Sequence, residues 1–164
     1  MVYLSLGSNI GNKEQNLFEA ISKINKQIGS IVSQSAFFAN EPWRFESQNQ
    51  FLNACLGVKT ELSPSDLLDQ CQAIENEMGR LQKSMKTTDA NGNAKMVYHD
   101  RIIDIDILLY DEQIIQTRRL TIPHPLMHQR LFVLKPLAEI AYDLKIPGTD
   151  MSVGEMFKAL AANE

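Results

Sequence analysis

Between Arg101 and Leu109 the chain reads Arg-Ile-Ile-Asp-Ile-Asp-Ile-Leu-Leu, and no other stretch restricts the fold so tightly. Side chains alternate across a β-strand, so Ile103, Ile105, Ile107 and Leu109 are expected on one face and Asp104 and Asp106 on the other. A strand from Ile102 to Tyr110 therefore belongs to a sheet with one face in a core and one face presenting two carboxylates. At ~3.3 Å of rise per residue those carboxylates start about 7 Å apart. Two bare charges at that separation repel by roughly 0.6 kcal/mol in water and about 2.4 kcal/mol at an effective dielectric of 20. One reading is a solvated strand face balanced by nearby Arg or Lys. The other is a cation site, because hard Mg²⁺ takes one or two carboxylates together with phosphate oxygens, and two metal ions sit only ~3.5–4 Å apart.

The remaining segments supply the partners such a sheet needs. Val2 to Leu6 alternates and then breaks at Gly7-Ser8-Asn9, as a strand entering a loop does. Leu17, Ala20, Ile21, Ile24 and Ile28 follow helical spacing within Asn12 to Ile28, with Gly29 at the stop. Ile31 to Phe38 and Phe51 to Val58 read as strands on either side of a polar loop at Glu41-Pro42-Trp43. Ser63-Pro64-Ser65-Asp66 starts a helix that runs through Leu67, Leu68, Cys71, Ile74 and Met78 and ends near Gly79. A short extended piece covers Arg119 to Ile122, a helix Leu126 to Ala141, and a last helix follows Met151.

The order strand, helix, strand, strand, helix, strand predicts an α+β fold, a ferredoxin-like antiparallel sheet sandwich with helices packed on one face of the sheet. A doubly wound parallel sheet is disfavoured, since only a loop joins the second and third strands. Residues 1–164 are expected to form a single domain, for a chain of this length buries roughly 70% of its unfolded surface. The stretch 81–100 is polar and glycine-containing, too poor in apolar residues to pack by itself, and is expected to be a mobile loop or lid.

Charge and composition narrow the function classes. A formal net charge of −4 argues against a broad nucleic-acid surface, so an anionic ligand must be held by a local group of cations or by metal. No run approaches the ~20 apolar residues of a membrane span, and the N-terminus has no basic region ahead of an apolar stretch; a cytoplasmic monomer is expected. Cys55 and Cys71 lie in apolar periodic segments and are expected to be buried, reduced thiols.

Several cations flank the aspartates: Arg101 before them, then Arg118, Arg119, His124 and Arg130. Arginine suits phosphate because its planar fork donates two hydrogen bonds at once. Surface salt bridging is the alternative, favoured for Arg118. His124 sits between prolines in Ile122-Pro123-His124-Pro125, where a rigid loop can aim its ring. Gly7-Ser8-Asn9 lacks the further glycines and lysine of a P-loop. Phe51 and Asn53 are two residues apart, so both can face one side of a strand, the ring stacking on a flat heterocycle and the amide hydrogen-bonding to it; Phe51 as ordinary core is the competing reading.

Taken in order, the motifs Leu4-Ser5-Leu6-Gly7-Ser8-Asn9, Glu41-Pro42, Phe51-Leu52-Asn53-Ala54, Ile74-Glu75 with Gly79-Arg80, Arg101-x-x-Asp104-x-Asp106-Ile107 and Arg119-Leu120-Thr121-Ile122-Pro123-His124 through Arg130 resemble the 6-hydroxymethyl-7,8-dihydropterin pyrophosphokinase family of folate biosynthesis. The resemblance implies a ferredoxin-like fold and an ATP-dependent diphosphate transfer to the pterin hydroxymethyl oxygen, with AMP leaving. It implies that Asp104 and Asp106 bind two Mg²⁺ ions and that Arg101 joins them as a catalytic residue. ATP would be held by Gln72, Lys83, Arg101, Ile107, Arg119, Thr121, His124 and Arg130. The pterin would be held by Asn40, Glu41, Pro42, Trp43, Phe51, Asn53, Tyr98 and Phe132. This sequence departs from the family's pattern in the longer stretch between Arg80 and Arg101. Lys83, Lys86 and Lys95 stand there in place of phosphate-touching arginines, Tyr98 in place of a tryptophan, and Trp43-Arg44 in place of a smaller pair. Nucleotidyl transfer, with pyrophosphate as the leaving group, and a ligand-binding regulatory domain are the competing function classes.

Overall fold

Alternation near the N-terminus makes Val2–Ser8 a strand (β1), and its almost continuous burial puts it in the middle of the sheet. In the computed structural model the described residues are 1–40, 50–79, 84–88, 94–98 and 102–163, with Asn40 and the segments 84–88 and 94–98 described through their backbone alone. After β1 the chain forms a helix, Lys13–Gln27 (α1), whose start is capped by Asn12, its side chain accepting from the Gln15 N–H at 3.1 Å. Two strands, Gly29–Gln34 (β2) and Phe38–Asn40 (β3), then stand where the periodicity predicts one. Ser35 separates them, turning its hydroxyl inward to accept from the Cys55 N–H at 2.9 Å. Phe51–Thr60 (β4) follows, and then Pro64–Glu77 (α2), with Ser63 as cap and Pro64 in the first turn as expected. Gly79 closes α2 at φ +98, a conformation that side chains with a Cβ avoid.

Ser84–Thr88 (β5) and Ala94–Tyr98 (β6) pair as an antiparallel ribbon inside the stretch expected to be a loop. Its β-formers Thr87, Thr88, Val97 and Tyr98, on either side of an Asn91-Gly92 turn signal, account for the pairing. Next come Asp104–Tyr110 (β7), the short pair Ile115–Gln116 (β8) and Thr121–Ile122 (β9), a 3₁₀ turn at Met127–Gln129, and two helices, Leu131–Ala141 (α3) and Val153–Ala161 (α4). A capping box starts α4: Ser152 Oγ accepts from the Glu155 N–H and the Glu155 carboxylate accepts from the Ser152 N–H.

The main sheet runs β2-β4-β1-β7, all antiparallel, with β3 extending the line of β2 along β4. This is the strand order of the expected ferredoxin-like sandwich, but helices cover both faces instead of one. Leu4, Leu6, Leu56, Val58, Ile103, Ile105 and Ile107 pack on α1 and α2 through Leu17, Ile24, Leu67, Cys71 and Ile74. On the opposite face Cys55, Leu108 and Leu109 pack on α3 and α4 through Val133, Leu134, Leu137 and Val153.

Leu109 therefore lies on the face opposite to the one its alternation assigns. The cause is a bulge: Tyr3 pairs with Leu109 and Leu4 with Ile107, so Leu108 is the extra residue and every side chain beyond it changes sides. The bulge divides the second face. Leu109 and its neighbours meet α3 and α4, while Asp104 and Asp106, before the bulge, remain half-exposed.

Candidate active site

Four strands bring the site together in two rows. Gly7 on β1 pairs with Asp104 on one side and Asn53 on the other, and Phe38 of β3 pairs with Asn53. One row along, Ser5 pairs with Asp106 and Cys55. Directly paired residues share a face, so both carboxylates lie on the same face as Asn53 and, two residues before it, Phe51. With neighbouring strands ≈ 4.8 Å apart, Asp104 stands about 10 Å from Asn53 across Gly7. A Cβ on Gly7 would lie 3.0 Å from Asn53 Oδ1 and 3.4 Å from Phe51 Cδ1. The space above Gly7 is thus walled by the amide and the ring, and only glycine leaves it open. Asn53 is 3% exposed, so its carboxamide is held rigidly at the wall of this space.

The start of α3 approaches the same face. Cys55 Sγ contacts the Val133 carbonyl at 3.6 Å, which sets the first turn of α3 above the Ser5–Cys55 row. Arg130 caps that turn without a side-chain cap bond, and its guanidinium lies 5.7 Å from the Phe132 ring. Its Nε is buried and has no hydrogen-bond partner among the described residues. A buried guanidinium N–H without an acceptor costs about 1–3 kcal/mol, and a helix N-terminus carries partial positive charge, so this corner is shaped for an anion. His124 is tied to the end of β7 and to the turn after it. Its N–H donates to the Leu108 carbonyl at 2.9 Å and its Nδ1 accepts from the Leu126 N–H at 3.1 Å. With Nδ1 accepting, the neutral ring carries its proton on Nε2 and presents a donor there. The Ile122–Pro123 bond before it is cis.

Other predicted residues lie on α2, on β9 and in the stretch before it, and in the core. Arg119 is exposed and bonds Asp69, at 2.5 Å, and Ser65, on the first turns of α2. Gln72 is exposed one turn further along α2, and Thr121 is half-exposed on β9. Ile107 is sealed in the core, so only its backbone is available to a ligand. Arg118 is exposed. Arg101, Lys83, Glu41, Pro42, Trp43, Arg44 and Arg80 lie outside the described residues, and the side chains of Asn40, Lys86, Lys95 and Tyr98 are likewise not described. Both cysteines are free and buried; burial pushes the Cys55 thiol far above its ordinary range, which leaves it chemically inert.

Three features escaped the sequence reading. Phe38 shares the face of Asn53, with Lys135 Nζ 5.0 Å from its ring. Ser5 lies buried between Cys55 and Asp106. Glu75 is 3% exposed on α2 and accepts the Ile105 N–H at 2.8 Å. Spacing offered a signal for Glu75, because Cys71, Ile74, Glu75 and Met78 continue one apolar stripe in which a carboxylate is out of place.

Among the described residues no three or more His, Cys, Asp or Glu side chains gather as a metal cage. Two half-exposed carboxylates on one open face instead match the chemistry of Mg²⁺, which keeps water and takes phosphate oxygens from its substrate. Also among the described residues, no helix is long and apolar enough to cross a membrane.

Known proteins resemble this chain in sequence and in fold. The profile of the family described as 7,8-dihydro-6-hydroxymethylpterin-pyrophosphokinase (HPPK) matches residues 3–142. The 2-amino-4-hydroxy-6-hydroxymethyldihydropteridine pyrophosphokinase of Porphyromonas gingivalis is 46% identical over 142 residues, covering 86% of this chain and 90% of its own. The protein of the same name from Haemophilus influenzae is 39% identical over 160 residues, covering 97% and 92%. A solved structure of Plasmodium falciparum HPPK-DHPS with pteroate superposes on 99% of the chain with a TM-score of 0.75 at 14% identity; the chain spans 44% of that protein's length, and the likeness is one of fold. The chain is a member of the HPPK family, the pyrophosphokinases that act on hydroxymethyldihydropterin in folate biosynthesis.

Proposed function

We propose that the face carrying Asp104, Asp106, Asn53 and Phe51 transfers the diphosphate of ATP to the hydroxymethyl oxygen of 6-hydroxymethyl-7,8-dihydropterin. The hydroxymethyl oxygen bonds to the β-phosphorus, the bond from that phosphorus to the α–β bridging oxygen breaks, and AMP leaves. The observation that carries this reading is the paired row Asp104–Gly7–Asn53, which sets Asp104 about 10 Å from Asn53 on one face of the sheet with a glycine between them.

Asp104 and Asp106 would hold two Mg²⁺ ions, whose chemistry when bound is to neutralise phosphate charge and ease deprotonation of the hydroxyl. Among the described residues the Arg130 Nε–H is without an acceptor, and we assign it to a phosphate oxygen, with the His124 ring assigned to the same ligand by family resemblance. Phe51 offers its ring to the pterin for stacking and Asn53 its carboxamide for hydrogen bonding, a combination that orients the nucleophile without itself reacting. Phe132 joins that wall beside Arg130, while Gln72 and Thr121 extend the nucleotide side. Arg101, Lys83 and Tyr98, with Asn40 to Trp43, complete the set by family resemblance. In-line transfer of this kind requires positioning and charge neutralisation, so no protein nucleophile is assigned. We further infer that residues 1–164 work as one monomeric cytoplasmic domain, with 81–100 as a lid over the nucleotide.

The test is product analysis. Incubation with Mg²⁺, ATP and the hydroxymethyl pterin is expected to yield AMP in step with diphosphorylated pterin, and Asp104→Ala and Asp106→Ala are expected to abolish it while the thermal transition persists. Release of inorganic pyrophosphate in place of AMP would sink the reading.

A further inference from the structure

Among the described residues β7 is the last strand of its sheet, so one row of its backbone groups faces no strand there. Ile105, the residue between the two aspartates, is 4% exposed, and an N–H buried on such an edge requires an acceptor. That acceptor is the Glu75 carboxylate, 2.8 Å away on α2 and itself 3% exposed.

A polar side chain stands out at this place, because the neighbouring positions of the same helical stripe, Cys71, Ile74 and Met78, are all apolar. The Ile105 nitrogen lies about 2.4 Å from the Asp104 Cα by covalent geometry, so the Glu75 oxygen is within about 5 Å of that Cα. The Glu75 oxygen is thus held against the backbone that carries the pair. The bond also acts at the point where register matters. On the β1 side Asp104 and Asp106 are fixed by the ladder through Gly7 and Ser5, and two residues past Asp106 the bulge at Leu108 loosens that ladder. Glu75 pins the opposite edge midway between the two aspartates.

We propose that Glu75 is a positioning residue for the metal-binding carboxylates. Its hydrogen bond to Ile105 N–H holds β7 so that Asp104 and Asp106 keep the separation that divalent cations bridge. The inference rests on the proposed assignment of those aspartates to Mg²⁺, and it assigns Glu75 no contact with substrate.

Two variants separate the hydrogen bond from packing. Glu75→Met fills the same volume without an acceptor; Glu75→Gln keeps an amide oxygen that can accept from Ile105. Three quantities are read for each: Ile105 amide exchange by NMR, Mn²⁺ binding by electron paramagnetic resonance as a stand-in for Mg²⁺, and the Mg²⁺ concentration at half-maximal AMP formation. Outer partners of metal sites typically set affinity by about 10–100-fold. Glu75→Met is therefore expected to speed Ile105 exchange, weaken Mn²⁺ binding by at least about tenfold and raise the Mg²⁺ requirement in parallel, with Glu75→Gln within about threefold of the parent in all three.

Parental cation binding in a folded Glu75→Met protein would overturn the proposal, and so would a Glu75→Gln protein as impaired as Glu75→Met. If Glu75→Met does not fold, Glu75→Gln decides alone: protected Ile105 with parental cation binding supports the proposal, and protected Ile105 with binding weakened tenfold overturns it. Failure of the underlying site assignment shows separately, as Mn²⁺ binding that survives Asp104→Ala and Asp106→Ala.

Discussion

Replacing Gly7 with alanine isolates the pterin side of the site from the metal side. The backbone at Gly7 is ordinary strand without positive φ, so alanine adds no torsional strain and gains about 0.4–1 kcal/mol by narrowing the unfolded ensemble. Against this, the new Cβ sits 3.0 Å from Asn53 Oδ1 and 3.4 Å from Phe51 Cδ1, and Asn53 is buried where it cannot swing aside freely. Overpacking of this modest kind costs about 1 kcal/mol, so the two terms nearly cancel and the thermal midpoint should move by no more than a few degrees. Function should change more. The Asn53 oxygen must yield by a few tenths of an ångström and the methyl occupies the floor of the gap. Loss of one neutral hydrogen bond is worth about 0.5–1.5 kcal/mol, or roughly a 2- to 10-fold rise in KM for the pterin. The three nearest atoms to the added carbon all belong to Asn53 and Phe51, none to Asp104, so KM for MgATP is expected to stay within about twofold. The assay is AMP formation with each substrate varied at saturation of the other, alongside calorimetry. A Gly7→Ala enzyme with parental KM for the pterin, or one whose MgATP and pterin constants rise together, would refute the placement of the heterocycle above Gly7.

Arg130→Lys keeps the charge but removes the buried Nε–H, and losing a charged hydrogen bond worth about 1.5–3 kcal/mol should raise KM for ATP roughly 10- to 100-fold with the pterin constant unchanged in the same assay. Gly29→Ala tests packing outside the site: its Cβ would meet the Lys59 backbone carbonyl oxygen inside van der Waals contact, neither strand can yield cheaply, and a loss of about 3 kcal/mol should lower the calorimetric midpoint by roughly 6–12 °C while leaving both KM values unchanged. The Glu155 carboxyl is held below the usual range first by the Ser152 backbone N–H and then by the Ser152 hydroxyl. A depressed folded pKa means that its contribution to stability is present above the unfolded value of about 4.3 and is lost as pH falls through the folded one. Glu155→Gln should accordingly flatten the fall in thermal midpoint between pH 5 and pH 3; an unchanged slope counts against the capping box.

The sheet and the site differ in how far they could be read in advance, and the physical reason is where polar residues mark a position. Asp104 and Asp106 label one face of β7 unambiguously, and Ser63-Pro64 labels the start of α2 with equal clarity. Past Asp106 the chain runs Ile107-Leu108-Leu109 without a polar residue, so nothing in the pattern distinguishes straight alternation from an inserted residue, and the bulge stays hidden. The helices on the second face were missed for a related reason. The aspartates made that face look solvated along its whole length, although Leu109 and Cys55 form an apolar patch that α3 and α4 cover.

Cations are the least legible class, since their partners are set in three dimensions. Arg119 and Arg130 look alike in the sequence, each a short way beyond the aspartates. The fold gives Arg119 a carboxylate and a hydroxyl at the head of α2, and it leaves Arg130 with a buried donor unused among the described residues, beside a helix N-terminus. An exposed ion pair such as Arg119–Asp69 contributes little, about 0–1 kcal/mol, and a ligand phosphate could displace it at that small cost. The buried Nε of Arg130 has no such compensation among the described residues, so bonding to an anion there recovers a full desolvation penalty. Of the two arginines, Arg130 is therefore the one through which nucleotide binding is expected to draw most of its free energy, and the contrast follows from burial and pairing rather than from position in the chain.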